Sequence, residues 1–137
     1  MKEPDHESGQ ENREKMKQHI RVLIADDRLT SRNGLKALLA TQLEIEIVGE
    51  AVDGREAVQL VEQCRPDIVL MDVRMPVTDG LEATRIIKER WPDVIVILLT
   101  MYPSYQAEAL AAGADAFLVK GCAADDLLEA ILNSKDG

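Results

Sequence analysis

Five short apolar runs, separated by segments with helical periodicity, constrain the fold of this chain more than any other feature. The runs cover residues 20–25, 45–51, 68–71, 94–99 and 116–119. Strands that alternate with helices in this way predict a single α/β domain, in which a parallel sheet is covered on both faces. The second run alternates apolar with acidic residues before it becomes mostly apolar, which indicates a strand at an edge of the sheet.

Capping residues, prolines and glycines predict where several helices begin and end. Asp53 and Asp79 each precede a helical segment and have Glu three positions later, the pattern of a capping box. Pro92 ends the helix that follows Asp79. Pro103 suits the first turn of a fourth helix, which is predicted to close at Gly113.

The first predicted helix depends on tertiary packing for its stability. Gly34 lies inside it and costs about 1 kcal/mol relative to Ala. The apolar face is predicted from leucines at roughly helical spacing: Leu35, Leu38, Leu39 and Leu43.

Length and composition limit the function classes that remain open. The chain has 137 residues and a net charge of -9, which argues against a nucleic-acid-binding surface and is compatible with binding a divalent cation or a basic protein patch. Cys64 and Cys122 have no metal-ligand spacing and are interpreted as reduced thiols. No apolar run approaches membrane-spanning length and the N-terminus lacks a signal peptide's apolar core, so we expect a cytoplasmic protein with no membrane partner.

The domain organisation predicted from these patterns is simple. Residues 1–19 are polar and are expected to form a flexible extension, in which His6 and His19 are solvated. Residues 20–134 form the folded domain, and residues 135–137 are a short C-terminal tail.

Four of the five predicted strands end on residues with useful chemistry. These are Asp26 with Asp27, then Asp72, Thr100 and Lys120. Each alone has an ordinary explanation, as a solvated turn, a cap or a surface residue. Because the carboxyl ends of parallel strands lie along one edge, where ligands bind in open α/β sheets, we expect these groups to converge there.

The expected convergence favours phosphoryl transfer. Three crowded carboxylates repel one another and need a cation, and Mg²⁺ prefers carboxylates, water and phosphate oxygens. With the metal on Asp26 and Asp27, Asp72 can act as a nucleophile and form an aspartyl phosphate. Mg²⁺ and Lys120 would neutralise the phosphoryl oxygens, and the Thr100 hydroxyl would hydrogen-bond one of them only when the group is present.

These residues also carry a family resemblance. Over residues 20–133 the sequence resembles the receiver domain of two-component response regulators. The resemblance rests on Asp26-Asp27, the run from Asp72 to Pro76, Asp79-Gly80, the Gly113-Ala114-Asp115 turn, Thr100 and Lys120. The Leu-Thr-Met-Tyr run and the Lys120-Gly121 pair are most similar to receivers that carry a helix-turn-helix output domain.

The resemblance implies a fold and a set of roles. The fold would be a flavodoxin-like, doubly wound (βα)5 sandwich with a five-stranded parallel sheet in the order 2-1-3-4-5. Asp72 would accept a phosphoryl group from a histidine kinase or phosphotransfer protein. The Mg²⁺ ligands would be Asp26, Asp27, Asp72 and the main-chain carbonyl of Arg74.

The resemblance also implies how the signal leaves the domain. Phe117 matches the aromatic residue that changes rotamer together with Thr100 and alters a protein-interaction surface. A homodimer would use the surface of helices one and five, or that of helix four, strand five and helix five. The domain itself would be neither an enzyme nor a nucleic-acid binder, and it would regulate transcription through an output domain absent from this chain.

Three positions depart from the family pattern. Gly121 follows Lys120 where many receivers have a cis proline, and because a cis non-proline bond costs about 3 kcal/mol we predict a trans bond. Met101 is bulky where the family usually has a small residue, and is expected to crowd the phosphate pocket. Arg74 and Tyr102 occupy positions whose identity tunes the acyl-phosphate lifetime in the family.

Other functions compete with this interpretation. A phosphohydrolase with an Asp nucleophile usually has a second Asp two residues later as general acid, where this chain has Arg74. A flavin or nucleotide binder needs a phosphate-cradling loop after the first strand. This chain has Asp26 and Asp27 there, and their carboxylates would repel phosphate unless a metal intervened. A third alternative is a pseudo-receiver that signals without phosphate. It also stays open whether the chain is a stand-alone receiver or a piece of a longer regulator.

Overall fold

The computed structural model describes residues 19–134. The predicted N-terminal extension up to residue 18, with His6, and the tail at 135–137 lie outside the described residues. The strands are β1 (Ile20–Ala25), β2 (Ile45–Ala51), β3 (Ile68–Met71), β4 (Ile95–Thr100) and β5 (Ala116–Val119). The helices are α1 (Leu29–Leu39), α2 (Gly54–Cys64), α3 (Gly80–Arg90), α4 (Gln106–Ala111) and α5 (Ala124–Ser134).

The five strands form one parallel sheet in the order β2-β1-β3-β4-β5. This confirms the predicted flavodoxin-like fold and the edge position of β2. Short apolar strands can lie at the centre of such a sheet only if helices cover both faces, and β3 is buried along its whole length.

Two apolar cores, one on each face of the sheet, contain the buried side chains. Successive residues of a strand point to opposite faces, so Leu23 of β1 belongs to one core and Ile24 to the other. Helices α2, α3 and α4 supply the first core, and α1 and α5 supply the second. Among residues 19–134 no aromatic side chain is fully buried in these cores, in keeping with a composition of 3% aromatic residues.

The predicted capping residues hold the first turns of α2 and α3. The Asp53 carboxylate accepts a hydrogen bond from the Glu56 main-chain N–H at 2.8 Å, and Asp79 accepts one from Glu82 at 2.9 Å. Helix α3 ends at Arg90, ahead of the proline that was expected to stop it. Each cap satisfies an amide that has no partner within its helix.

Two boundaries differ from the predicted ones, whereas those of the fourth helix agree. Strand β4 begins at Ile95 and includes Thr100. The fourth helix begins at Pro103 as predicted, with a 3₁₀ turn over Pro103–Tyr105, and it closes at Gly113, which has a φ of +98°. The prediction that Leu43 lies on the buried face of α1 is wrong, because the helix ends at Leu39 and Leu43 is 89% exposed beyond it.

A local hydrogen bond accompanies the early end of α1. The Thr41 hydroxyl donates to the Leu38 carbonyl at 2.7 Å, which satisfies a carbonyl of the last turn without another turn of helix. Elsewhere, no peptide bond among the described residues is cis, so the bond between Lys120 and Gly121 is trans as predicted. None of the helices in residues 19–134 is long and apolar enough to cross a membrane.

Candidate functional site

The carboxyl edge of the sheet brings together the polar residues at the strand ends. Asp26 directly follows β1, Asp72 follows β3, and Lys120 follows β5, while Thr100 is the last residue of β4. Main-chain hydrogen bonds fix their relative positions, since the Asp72 N–H donates to Ala25 at 2.9 Å and the Lys120 N–H donates to Thr100 at 2.7 Å. The predicted convergence is therefore present in the structure.

Three carboxylates form an acidic cluster at this edge, made of Asp26, Asp27 and Asp72. One oxygen from each lies within 4.8 Å of the others. Asp26 is 1% exposed and Asp72 is 9% exposed, whereas Asp27 faces solvent. Buried carboxylates this close together are costly unless positive charge compensates them.

Lys120 supplies that positive charge from the end of β5. Its Nζ donates to Asp26 Oδ2 at 2.6 Å, to Asp72 Oδ2 at 2.9 Å and to Ser31 Oγ at 3.3 Å. Burial acts to lower the pKa of Lys120, but the hydrogen bonds to Asp26 and Asp72 and their negative charges outweigh burial and raise the pKa. The ammonium form is therefore favoured, and Lys120 links the end of β5 to the ends of β3 and β1, 48 and 94 residues away in sequence.

The other oxygens of the two buried carboxylates bind main-chain amides. Asp26 Oδ1 accepts from the Arg28 N–H at 2.9 Å, and Asp72 Oδ1 accepts from the Val73 N–H at 2.7 Å. Helix α3 also packs closely here, because a Cβ at Gly80 would lie 1.9 Å from the main-chain oxygen of Asp72. Only glycine fits at that position, which explains the Asp79-Gly80 pair in physical terms.

Thr100 and Phe117 lie on adjacent strands and on the same face of the sheet. Thr100 is fully buried, and its Oγ1 accepts a hydrogen bond from the Tyr102 N–H at 3.4 Å. Phe117 pairs in register with Leu98, two residues before Thr100 in β4, and packs against the core on the side of α2, α3 and α4. Their predicted joint rotamer change stays a prediction.

A cavity of about 220 Å³ opens beside Asp72. Arg74 and Tyr102, two of the residues that depart from the family pattern, form part of its wall. They stack on each other, with the Arg74 guanidinium 4.8 Å from the centre of the Tyr102 ring. Met101 is 59% exposed and also lines the wall, so it borders the cavity and does not fill it. The lining residues are Asp27, Arg28, Asp72, Arg74, Met101, Tyr102 and Lys120.

The donor set of the acidic cluster fits a hard divalent cation. Carboxylate oxygens are the ligands that Mg²⁺ prefers, and Asp26, Asp27 and Asp72 each offer one in a compact group. Lys120 cancels one of the three negative charges, which leaves an excess that a divalent ion would neutralise. The further ligand expected from Arg74, its main-chain carbonyl, stays a prediction.

Sequence reasoning missed several residues that support the site. Ser31 contacts Lys120, and the Arg32 guanidinium links the Asp26 main chain to Glu50 on β2. Ser31 and Arg32 lie in the first turns of α1, directly after the acidic pair, and this proximity was the only available signal. Nothing in the sequence connected Arg32 with Glu50.

Comparison with known proteins agrees with this geometry. The family model of the response regulator receiver domain matches residues 22–132. The chain belongs to this family. Receiver domains are signalling modules of two-component response regulators, and phosphorylation and Mg²⁺ binding are general properties of the family.

Relatives and solved structures support the same assignment. The receiver is 41% identical to the transcriptional regulatory protein DegU of Brevibacillus brevis, covering 82% of this chain and 48% of that protein. It is 38% identical to LnrK, a transcriptional regulatory protein of Bacillus subtilis, covering 86% of this chain and 54% of that protein. The chain thus spans about half the length of the curated relatives it matches.

Solved receiver structures have the same fold. The response regulator domain of Thermotoga maritima CheB superposes with a TM-score of 0.81 and 32% identity, covering 87% of this chain and 98% of that one. A LuxR-family two-component response regulator from Aurantimonas superposes with a TM-score of 0.80 and 30% identity, covering 85% and 84%. The likeness to transcriptional regulatory proteins and to a LuxR-family response regulator agrees with the expected similarity to receivers of helix-turn-helix regulators.

Proposed function

We propose that Asp72 is the phospho-acceptor of this receiver and takes a phosphoryl group from a histidine kinase or a phosphotransfer protein. The observation that carries the proposal is the arrangement around Lys120, whose ammonium lies 2.9 Å from Asp72 and 2.6 Å from Asp26. A carboxylate held between a cation and a cluster of metal-binding oxygens has the surroundings that phosphoryl transfer needs.

The proposed step is a displacement at phosphorus. An Asp72 carboxylate oxygen forms a bond to the phosphorus of a phosphohistidine, while the phosphorus–nitrogen bond breaks and its electron pair leaves with the imidazole. Lys120 remains protonated throughout, favoured by its raised pKa, and places positive charge beside the new phosphoryl oxygens. The Val73 N–H holds the Asp72 carboxylate in place through its 2.7 Å hydrogen bond.

We assign the metal to the acidic cluster. Asp26, Asp27 and Asp72 would hold Mg²⁺ together with the main-chain carbonyl of Arg74, and the bound ion would neutralise charge on the phosphoryl oxygens. Support comes from the three carboxylate oxygens within 4.8 Å of one another. Asp27 is the exposed member of the cluster and gives a cation access from solvent.

Thr100 and Phe117 form the proposed switch. In the unmodified state Thr100 Oγ1 accepts a long hydrogen bond of 3.4 Å from the Tyr102 N–H. The hydroxyl proton takes no part in that bond and would be donated to a phosphoryl oxygen on Asp72, which is a charged acceptor. Movement of Thr100 toward the phosphoryl group would free space on the face of the sheet that it shares with Phe117. The surface around β5 would change accordingly.

The output is proposed from the family and the relatives. Two relatives are named transcriptional regulatory proteins, and we propose that this receiver controls transcription through a DNA-binding output domain, in the cytoplasm, with homodimerisation as one route. It would not turn over a substrate, because Arg74 stands two residues after Asp72 where a phosphohydrolase would have its acid. Light-scattering mass with and without beryllium fluoride tests dimerisation, and an unchanged mass would count against it.

Intact-protein mass spectrometry tests the acceptor. Wild type is incubated with acetyl phosphate and Mg²⁺, beside Asp72→Ala and beside Asp79→Ala as a control at an exposed helix cap. We expect a phosphoryl-sized mass increase in wild type and in the control only. Labelling of Asp72→Ala to the wild-type extent would contradict the proposal, as would labelling that is unaffected by EDTA.

A further inference from the structure

Asp26 is almost completely buried, so each of its polar atoms needs a partner. Its N–H donates to the Ala51 carbonyl at 3.0 Å, and its two carboxylate oxygens bind Arg28 and Lys120. The remaining atom is the main-chain carbonyl oxygen. This oxygen accepts a hydrogen bond of 2.7 Å from Nη1 of Arg32.

Arg32 is itself held firmly in place. Its side chain is 12% exposed, and its Nε binds Glu50 Oε1 at 3.0 Å. Glu50 lies on β2, the edge strand that pairs with β1. The guanidinium therefore joins α1, β1 and β2 at the point where the chain turns into the acidic cluster, and its planar group of donors serves both partners at once.

Lys36 offers a natural comparison one turn further along α1. Its Nζ binds the other oxygen of Glu50 at 2.9 Å, and its side chain is 38% exposed. Among the described residues it has no hydrogen bond to Asp26. Lys36 and Arg32 thus share a charge and an ion-pair partner, but only Arg32 contacts the main chain of the cluster.

We infer that Arg32 is a positioning residue for the Mg²⁺ site: with Glu50 behind it, it fixes the main chain at Asp26 so that the carboxylates of Asp26 and Asp27 are in place before a cation arrives. This inference rests on the proposed metal site. Groups that orient metal ligands from outside the coordination sphere typically change metal affinity by 10- to 100-fold when they are removed.

Charge alone predicts the opposite sign, which makes the inference testable. Removing a positive side chain near three carboxylates strengthens the attraction for a cation, so a purely electrostatic role of Arg32 would give tighter Mg²⁺ binding in Arg32→Met. Lys36→Met removes the same charge beside the same Glu50 and measures that effect by itself. Positioning by Arg32 predicts weaker binding in Arg32→Met.

The experiment is calorimetric titration of the protein with Mg²⁺ alone, for wild type, Arg32→Met, Arg32→Lys and Lys36→Met. We expect about tenfold weaker binding in Arg32→Met, an intermediate loss in Arg32→Lys, and unchanged or slightly tighter binding in Lys36→Met. The amide resonance of Arg28, whose N–H binds Asp26 Oδ1 at 2.9 Å, should shift in the Arg32 variants without metal and stay unchanged in Lys36→Met.

Two outcomes would overturn the inference. One is Mg²⁺ binding in Arg32→Met as tight as in Lys36→Met, and the other is an Arg28 resonance unaffected by both Arg32 variants. If Arg32→Met fails to fold, Arg32→Lys retains the charge and decides the question. Wild type that binds no Mg²⁺ and takes up no phosphoryl group would refute the proposed function itself, whereas a working wild type with silent Arg32 variants refutes only the role of Arg32.

Discussion

The Asp27 carboxylate is the free member of the acidic cluster. Within residues 19–134, no hydrogen bond or ion pair holds it in place. Its neighbours Asp26 and Asp72 share the single positive charge of Lys120. These three side chains together therefore carry one net negative charge, and it lies within 4.8 Å of the Asp27 oxygen. At this separation one charge repels another by ~0.9 kcal/mol in water. Because Asp27 is exposed, the value in water is the appropriate one.

We therefore expect Asp27→Asn to raise the free energy of unfolding by about 1 kcal/mol when no divalent cation is present. Magnesium should reverse the order. At 100 times its dissociation constant a ligand stabilises the native state by ~2.7 kcal/mol, and the variant, which lacks a ligand oxygen, should gain little of this. Wild type should then be more stable than the variant by about 2 kcal/mol, the difference between these two effects.

Urea unfolding at pH 7, followed by far-ultraviolet circular dichroism in EDTA and in MgCl₂, measures both differences. Glu44→Gln is the matched control, because it also removes one exposed negative charge. Glu44 directly precedes β2 and so lies at the amino ends of the strands, away from the acidic cluster at their carboxyl ends. Equal stability of Asp27→Asn and the control in EDTA would refute the repulsion argument. A full response of Asp27→Asn to Mg²⁺ would remove Asp27 from the metal site.

Four other substitutions have defined outcomes. Arg74→Ala and Tyr102→Ala should each shorten the acyl-phosphate lifetime severalfold, because either one breaks the pair that walls the cavity; unchanged decay, followed by intact mass, would exclude both residues. Gly34→Ala should stabilise α1 by about 1 kcal/mol in urea unfolding, since its Cβ would meet nothing within 4 Å. The hydrogen bond from Lys36 lowers the pKa of Glu50 below 4.5, so the stability lost in Glu50→Gln at neutral pH should disappear as the pH falls through that lowered pKa.

The strand pattern predicted the fold well because the residue at which a strand leaves the core is also the residue at which its sequence changes from apolar to polar. In a parallel sheet covered on both faces, a strand must be apolar until it surfaces, so the bounds of β1, β3 and β5 agree with the apolar runs that end at Asp26, Asp72 and Lys120. Thr100 extends β4 by one residue because a hydroxyl is compatible with a strand. Helical periodicity was less reliable, as the exposed Leu43 shows.

The site was predictable only as far as the strand ends determine it. Strand order alone brings Asp26, Asp72 and Lys120 to one edge, whatever their side chains do. The contact between Arg32 and Glu50 depends on how α1 packs beside β2, and the stacking of Arg74 on Tyr102 depends on the conformation of two loops. Neither dependence leaves a periodic signal in the sequence.

The hydrogen bonds of Lys120 bear on the proposed phosphorylation of Asp72. An ammonium group has three hydrogens, and Asp26, Asp72 and Ser31 each accept one. A phosphoryl group on Asp72 can therefore gain a bond from Lys120 only if one of these partners loses its own. When Asp26 is the partner that loses its bond, its buried carboxylate is left without a counter-charge, and a cation at Asp26 would offset that cost.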